Sequence, residues 1–202
     1  MELLIASLNS MKVQELRTLL QEVLPHVYIR SLIEFPKITF EHQEACSFVE
    51  NAIAKAITTA KIMKIPVLAD DSGLVVPFLG DYAASFARKQ QQDPTIKLPN
   101  TQQLLRELKD TAEDNRGAFL ECALAFADPQ QGLITHSSAR MEGTIAYEEE
   151  GPANSDFASV FLKHEYSKTL AQLPQSVLAR ISHRRKACEK LGPSLQHFFR
   201  EQ

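Results

Sequence analysis

A short apolar run that ends on two adjacent carboxylates, Pro66-Val67-Leu68-Ala69-Asp70-Asp71-Ser72-Gly73, constrains this chain more than any other feature. It reads as a buried strand after a helix, with Ser72-Gly73 as a tight turn and Val75-Val76 resuming the extended pattern. Upstream, Leu3-Leu4-Ile5-Ala6 reads as a first strand. After a loop at Ser7 to Ser10, Val13, Leu16, Leu19, Leu20 and Val23 place one apolar stripe on a helix reaching about Leu24. Val27 to Ile29 is a short second strand. A second helix runs from about Ser47 to Met63, with Phe48, Ala52, Ile53, Ala56, Ile57 and Ala60 facing inward. Strand, helix, strand, helix, strand is the signature of an α/β sheet with crossover connections.

The second half has another character. Gln90 to Pro99 is a polar loop, and Leu104, Leu105 and Leu108 mark a short helix. Ala118, Leu120, Cys122, Leu124 and Phe126 alternate along a strand from Arg116 to Ala127. Leu133 to Tyr147 is its expected antiparallel partner, with the turn at Asp128 to Gly132. Glu148 to Ala158 reads as a loop. A helix from Pro174 to about Leu191 carries Ser182-His183-Arg184 inside it, and Gly192-Pro193 is expected to interrupt before a short last helix. The expected fold is therefore α/β: two lobes on a long mixed central sheet with flanking helices, a cleft between them, and one domain over residues 1–202.

Composition excludes several function classes. With 202 residues and a formal charge of -3, the chain has no global attraction for nucleic acid or anionic lipid, so any nucleotide site must be locally basic. Cys46, Cys122 and Cys188 fit neither a disulfide framework nor a zinc spacing, which points to a reducing, cytoplasmic setting. Met1 to Ala6 is too short for a signal peptide, and no apolar run approaches bilayer length.

Three further constellations stand beside the paired acids. Asp70 and Asp71 offer hard oxygen ligands suited to magnesium, which in turn bridges to phosphates; taken alone, they also read as a capped strand end. Ser7-Leu8-Asn9-Ser10-Met11-Lys12 lies at a strand-to-helix junction, where backbone amides, side-chain donors and Lys12 suit a phosphate. Plain capping by Asn9 or Ser10 is the alternative, and the loop lacks the glycines of a P-loop. Glu50, Asn51 and Lys55 occupy the start of the second helix; Lys55, between alanines, either reaches a ligand or is an ordinary solvated lysine. His183 and Arg184 project about 100° apart on their helix, as donors to a base or as part of a basic face with Arg185 and Lys186.

Together, and in this order, these fragments resemble the inosine triphosphate pyrophosphatase family. Ser7-Leu8-Asn9-Ser10-Met11-Lys12 is similar to its Thr-Gly-Asn-x-x-Lys loop, and Ser47-Phe48-Val49-Glu50-Asn51-Ala52 to its Thr-Phe-x-Glu-Asn-Ala helix start. Ala69 to Leu74 matches Ala-Asp-Asp-Ser-Gly-Leu, and Ser182-His183-Arg184 matches Ser-His-Arg. The resemblance implies a magnesium-dependent, homodimeric hydrolase that converts ITP, dITP and XTP to the monophosphate and pyrophosphate. Asp71 would bind the metal and activate water, Asp70 would shape the metal shell, and Lys12, Lys55, Ser72 and the first loop would contact the phosphates. His183 and Arg184 would donate to the purine 6-oxygen. The chain departs from the pattern at Leu8 and at Gln43, where the family has a metal-binding Glu that Glu41 or Glu44 would have to replace. It departs again at Leu178, where the family has Lys. The base loop becomes Asn154-Ser155-Asp156-Phe157-Ala158-Ser159, with Ser155 for the stacking Phe, Ala158 for Asp, and Phe157 as a neighbouring stacking surface. Such departures equally suit a nucleotide-binding homologue with weak turnover, or a related pyrophosphatase with altered base preference.

Overall fold

The computed structural model describes residues 1–35, 47–80, 100–152 and 157–201. Among them a seven-stranded sheet runs in the order β2-β1-β3-β4-β5-β6-β7. Its strands are β1 (Glu2–Ala6), β2 (Tyr28–Ser31), β3 (Val67–Val75), β4 (Gly117–Asp128), β5 (Gly132–Ile145), β6 (Phe161–Lys163) and β7 (Lys168–Thr169). The helices are α1 (Ser10–Val23), α2 (Phe48–Met63), α3 (Asn100–Glu107), α4 (Gln175–Ile181) and α5 (His183–Arg200). β1 pairs in parallel with β2 and β3, whereas β6 is antiparallel to β5 and β7. The mixed α/β class expected from sequence is borne out.

The chain divides into two compact units, Met1–Ser72 with Cys122–Ala139 and His183–Gln202, and Gly73–Glu121 with Arg140–Ser182. In the first unit the sheet is buried on both faces, and the strand period of two sorts its side chains. Leu3, Ile5, Leu68, Cys122, Leu124 and Phe126 join the apolar stripe of α1 and Leu191, Leu195, Phe198 and Phe199 of α5. Leu4, Ala6, Val67, Ala69, Ala123, Ala125 and Ala127 meet Ala52, Ala56 and Ala60 of α2. The alternation in β4 is thus large against small, not buried against exposed. Alanine on both surfaces lets α2 sit close to the strands, while the larger residues fill the opposite face.

The second unit has its own apolar cluster around Leu74, Val76, Leu104, Leu108, Met141, Val160 and Phe161. Gly143 permits the approach of β6: a Cβ there would clash with the Leu162 carbonyl oxygen and the Phe161 ring. Arg116 is buried at 1% exposure, its guanidinium donating to the carbonyls of Leu108, Ile145 and Ala146 at 2.6–2.8 Å.

Three sequence expectations need correction. Ser72-Gly73 makes no turn, because β3 continues through to Val75. The helix expected from Pro174 breaks at Ser182, whose ψ of 128° leaves helical space, so that His183 starts α5. Serine competes with the helix for backbone hydrogen bonds and is favoured at helix ends. Conversely, α5 runs through Pro193. Burial of Leu191, Leu195, Phe198 and Phe199 on either side of the proline outweighs its missing amide.

Candidate active site

Successive residues of a strand face opposite sides of its sheet, so Asp70 and Asp71 cannot share one environment. Asp70 lies on the α1 and α5 side with Leu68; Asp71 lies on the α2 side with Ala69. The Asp70 side chain is wholly buried. Its Oδ1 accepts from Lys12 Nζ at 2.8 Å and from Ser72 Oγ at 3.1 Å. Its Oδ2 accepts from Cys122 Sγ at 3.3 Å and faces Arg184 Nε at 3.6 Å. Burial works to raise the Asp70 pKa, but the charges of Lys12 and Arg184, with the hydrogen bonds from Lys12 and Cys122, outweigh it. The carboxyl therefore stays below the ordinary carboxylate range, and ionised.

Asp71 stands differently. Its side chain retains 25% of its exposure, and Lys55 Nζ approaches Oδ1 at 3.3 Å while donating to the Asp70 carbonyl at 2.8 Å. One turn of α2 thus brings a cation to the exposed acid, and α1 and α5 bring two cations to the buried one.

Arg184 closes the network. It donates to Glu15 Oε2 at 2.9 Å and to Ser72 Oγ at 2.9 Å, and Glu15 lies three residues beyond Lys12 on α1. Burial opposes its charge, but Asp70 and Glu15 more than restore it and raise its pKa. Its neighbour His183 is buried, and its Nδ1 has no hydrogen-bond partner. Burial foremost, then the Arg184 charge, brings the His183 pKa down to about 3, so the imidazole is neutral at pH 7.

The first loop is largely self-satisfied. Asn9 Oδ1 accepts from the amides of Met11 and Lys12 at 3.0 and 3.2 Å, and Ser7 Oγ accepts from the Asn9 amide at 3.2 Å. Capping by Asn9 is what these amides do here; Ser10 begins α1, and Leu8 and Met11 are exposed. Phe157 and Leu178 pack against the apolar cluster of the second unit. Glu41, Gln43, Glu44, Ser155 and Asp156 lie outside the described residues. Glu15 and Cys122 are the participants sequence reasoning missed. Glu15 was detectable, since i and i+3 share a helix face with Lys12; Cys122 was not, because the contact joins neighbouring strands that lie 52 residues apart in sequence.

A family profile, that of the Ham1 family, matches residues 3–194. The chain belongs to the Ham1 family. A dITP/XTP pyrophosphatase of Protochlamydia amoebophila is 37% identical over 202 residues, covering 98% of each chain. A Ham1 protein from Coxiella burnetii has a structure similar to this one, with TM-score 0.81 and 28% identity over 98% of this chain and 99% of its own. A nucleoside-triphosphatase, also titled dITP/XTP pyrophosphatase, from Mycobacterium abscessus matches with TM-score 0.75 and 28% identity over 95% and 98%. The family read from four short motifs is borne out, and the two solved structures share the fold.

Among the described residues no three His, Cys, Asp or Glu side chains cluster to hold a metal. Magnesium does not require such a cage: it keeps waters and is often held by one or two carboxylates plus substrate phosphates. Asp71 fits that use, as a partly exposed hard oxygen donor. Asp70 fits it less well: its side chain is wholly buried, and both oxygens already accept hydrogen bonds.

Proposed function

We propose that the chain is a magnesium-dependent nucleoside triphosphate pyrophosphatase acting on non-canonical purines such as ITP, dITP and XTP. One observation carries the reading: two adjacent carboxylates, split between sheet faces, are matched to Lys12, Lys55 and Arg184 in a chain that is Ham1-like over nearly its whole length. Asp71, with Glu44 the candidate partner from the sequence, would hold the magnesium. When bound, the metal supplies charge neutralisation on the phosphate chain.

The residues of the chain supply the rest. Asp71 orients water toward the α-phosphorus and takes its proton. The bond from that phosphorus to the bridging oxygen breaks, leaving nucleoside monophosphate and pyrophosphate. Lys12 and Lys55 stabilise charge on the phosphates, exchanging part of their hold on Asp70 and Asp71. Asp70 acts as the fixed counter-ion that aims Lys12 and Arg184, rather than as a metal ligand. Neutral His183 has one ring N–H to offer a purine 6-oxygen, and a 6-amino group would set donor against donor. Arg184, held by Glu15 and Ser72, serves the base only by turning from them. The cysteines, read as free thiols, support a cytoplasmic setting; among the described residues no helix is long and apolar enough to cross a membrane. The homodimer rests on the resemblance.

The test is pyrophosphate release from ITP, dITP, XTP, ATP and GTP, with and without magnesium. Release confined to the non-canonical purines and abolished by chelation supports the reading. No release from any of them, with the nucleotides still bound, supports a binding homologue instead. Release from all five alike would remove the base preference.

A further inference from the structure

We propose, on the strength of that functional reading, that Cys122 is a positioning residue: its thiol proton holds Asp70 Oδ2 so that Arg184 is not captured by the same oxygen. The geometry is specific about roles. A carboxylate accepts only, so at 3.3 Å the thiol must be the donor. Burial first, and the neighbouring Asp70 charge next, raise the Cys122 pKa well above the usual value, so the proton stays on sulfur.

The other side of Oδ2 shows what the thiol does. Arg184 Nε stops at 3.6 Å, outside good hydrogen-bond distance, and is buried without a hydrogen-bond partner. Carboxylate and guanidinium readily close into a bidentate pair. Here they do not: the thiol holds Oδ2 while Lys12 and Ser72 hold Oδ1, and these three donors fix the carboxylate's orientation with Nε left outside hydrogen-bond distance. The Arg184 terminal nitrogens instead hold Glu15 and Ser72 at 2.9 Å, from which a nucleotide can draw them. Removing the S–H donor would leave Oδ2 short of a partner in a dry site. The nearest remedy is movement of Nε by a few tenths of an ångström, which locks Arg184 onto Asp70. Cys122 as a mere filler of the α1–α5 core would have no such consequence.

The experiment compares Cys122→Val, which fills the site with apolar atoms and loses the donor, and Cys122→Ala, which loses the donor without added bulk, with Cys122→Ser, which keeps a donor. In pyrophosphate release with ITP, Cys122→Val and Cys122→Ala should each raise KM about tenfold, with a much smaller change in kcat, while Cys122→Ser stays near wild type. A Cys122→Val or Cys122→Ala enzyme with unchanged KM, or a Cys122→Ser enzyme as impaired as either, overturns the proposal. So does a fall in Tm with KM untouched below the transition. A readout independent of turnover is the infrared S–H stretching band of Cys122, isolated as wild type minus Cys122→Ser. It should move in Asp70→Asn, and a band that stays in place sinks the contact. An inactive wild type with a shifted band would refute the pyrophosphatase reading alone and leave the thiol–carboxylate contact standing.

Discussion

Asp70 in the first unit and Arg116 in the second are the charged side chains most deeply buried among the described residues, and they are accommodated in opposite ways. In the first, Asp70 is matched by Lys12 and Arg184, with neutral donors from Ser72 and Cys122. In the second, Arg116 is matched by no carboxylate among its recorded partners. Three backbone carbonyls and the Tyr147 ring, 4.3 Å away, surround it. A charge solvated by main-chain carbonyls is fixed to the fold and can be recruited for nothing else. A charge balanced by long flexible cations can exchange partners when a polyanion arrives. The first arrangement suits a site, the second a staple.

The largest effect should come from the acid outside both arrangements. Asp71→Asn keeps the shape and the Lys55 contact but removes the charge, and turnover should fall by about 10³-fold or more, with Tm little changed. Activity within a few-fold of wild type, in the pyrophosphate assay, would break the assignment of Asp71.

Arg116 should show the converse pattern. Arg116→Met leaves three buried carbonyls unpaired, at about 1–3 kcal/mol each before relaxation. A net loss of about 3 kcal/mol, or about 6–12 °C in Tm for a chain of this size, is expected with turnover at low temperature retained. Asp70→Asn should instead lose activity about 10–100-fold for a smaller loss of Tm, since its cations can turn to solvent. If the two substitutions gave the same profile, the contrast between staple and site would collapse.

Acid titration sharpens the comparison further. His183 has a folded pKa of about 3 against an ordinary 6.5, so between those values the unfolded chain binds the extra proton and stability falls as pH falls. The slope is at most about 1.4 kcal/mol per pH unit. Asp70, held below its ordinary range, contributes stability that is intact above the unfolded carboxylate pKa and is lost only below it, as pH falls through the folded value. Urea midpoints from pH 7 to pH 4 should therefore decline in wild type and flatten in His183→Asn. An equal decline in both would remove His183 as the cause.

These contrasts also show what the chain made legible. Apolar runs punctuated by Asn9 and Ser47 located β1, α1 and α2, because burial and capping are local signals, whereas Gly73, read as a turn, lies inside β3. The adjacency of Asp70 and Asp71 suggested a joint metal site, although the strand period already implied opposite faces. Cys122 beside Asp70 and the burial of Arg116 were not legible, because both depend on strands and helices far apart in sequence. Arginine is among the residues least expected inside. Ser182 ended a helix that periodicity alone would have continued.

The smallest expected effect tests whether ion pairing as such, or its burial, makes the Asp70 network matter. Arg185 and Glu22 form a bidentate pair between α5 and α1 at 2.9 and 3.0 Å, as good in geometry as Lys12 with Asp70. Glu22 is half-exposed, however, and its charge is shared with water. Exposed pairs of this kind contribute about 0–1 kcal/mol and are screened by salt. Arg185→Gln should therefore shift Tm by no more than about 4 °C, with the difference from wild type shrinking in 0.5 M salt, and leave kcat and KM unchanged. Lys12→Gln, by contrast, should cost activity at any ionic strength, since its partner is buried. A large, salt-resistant loss from Arg185→Gln would mean that the α1–α5 contact itself, rather than the dry carboxylate beneath it, sets the geometry of the site.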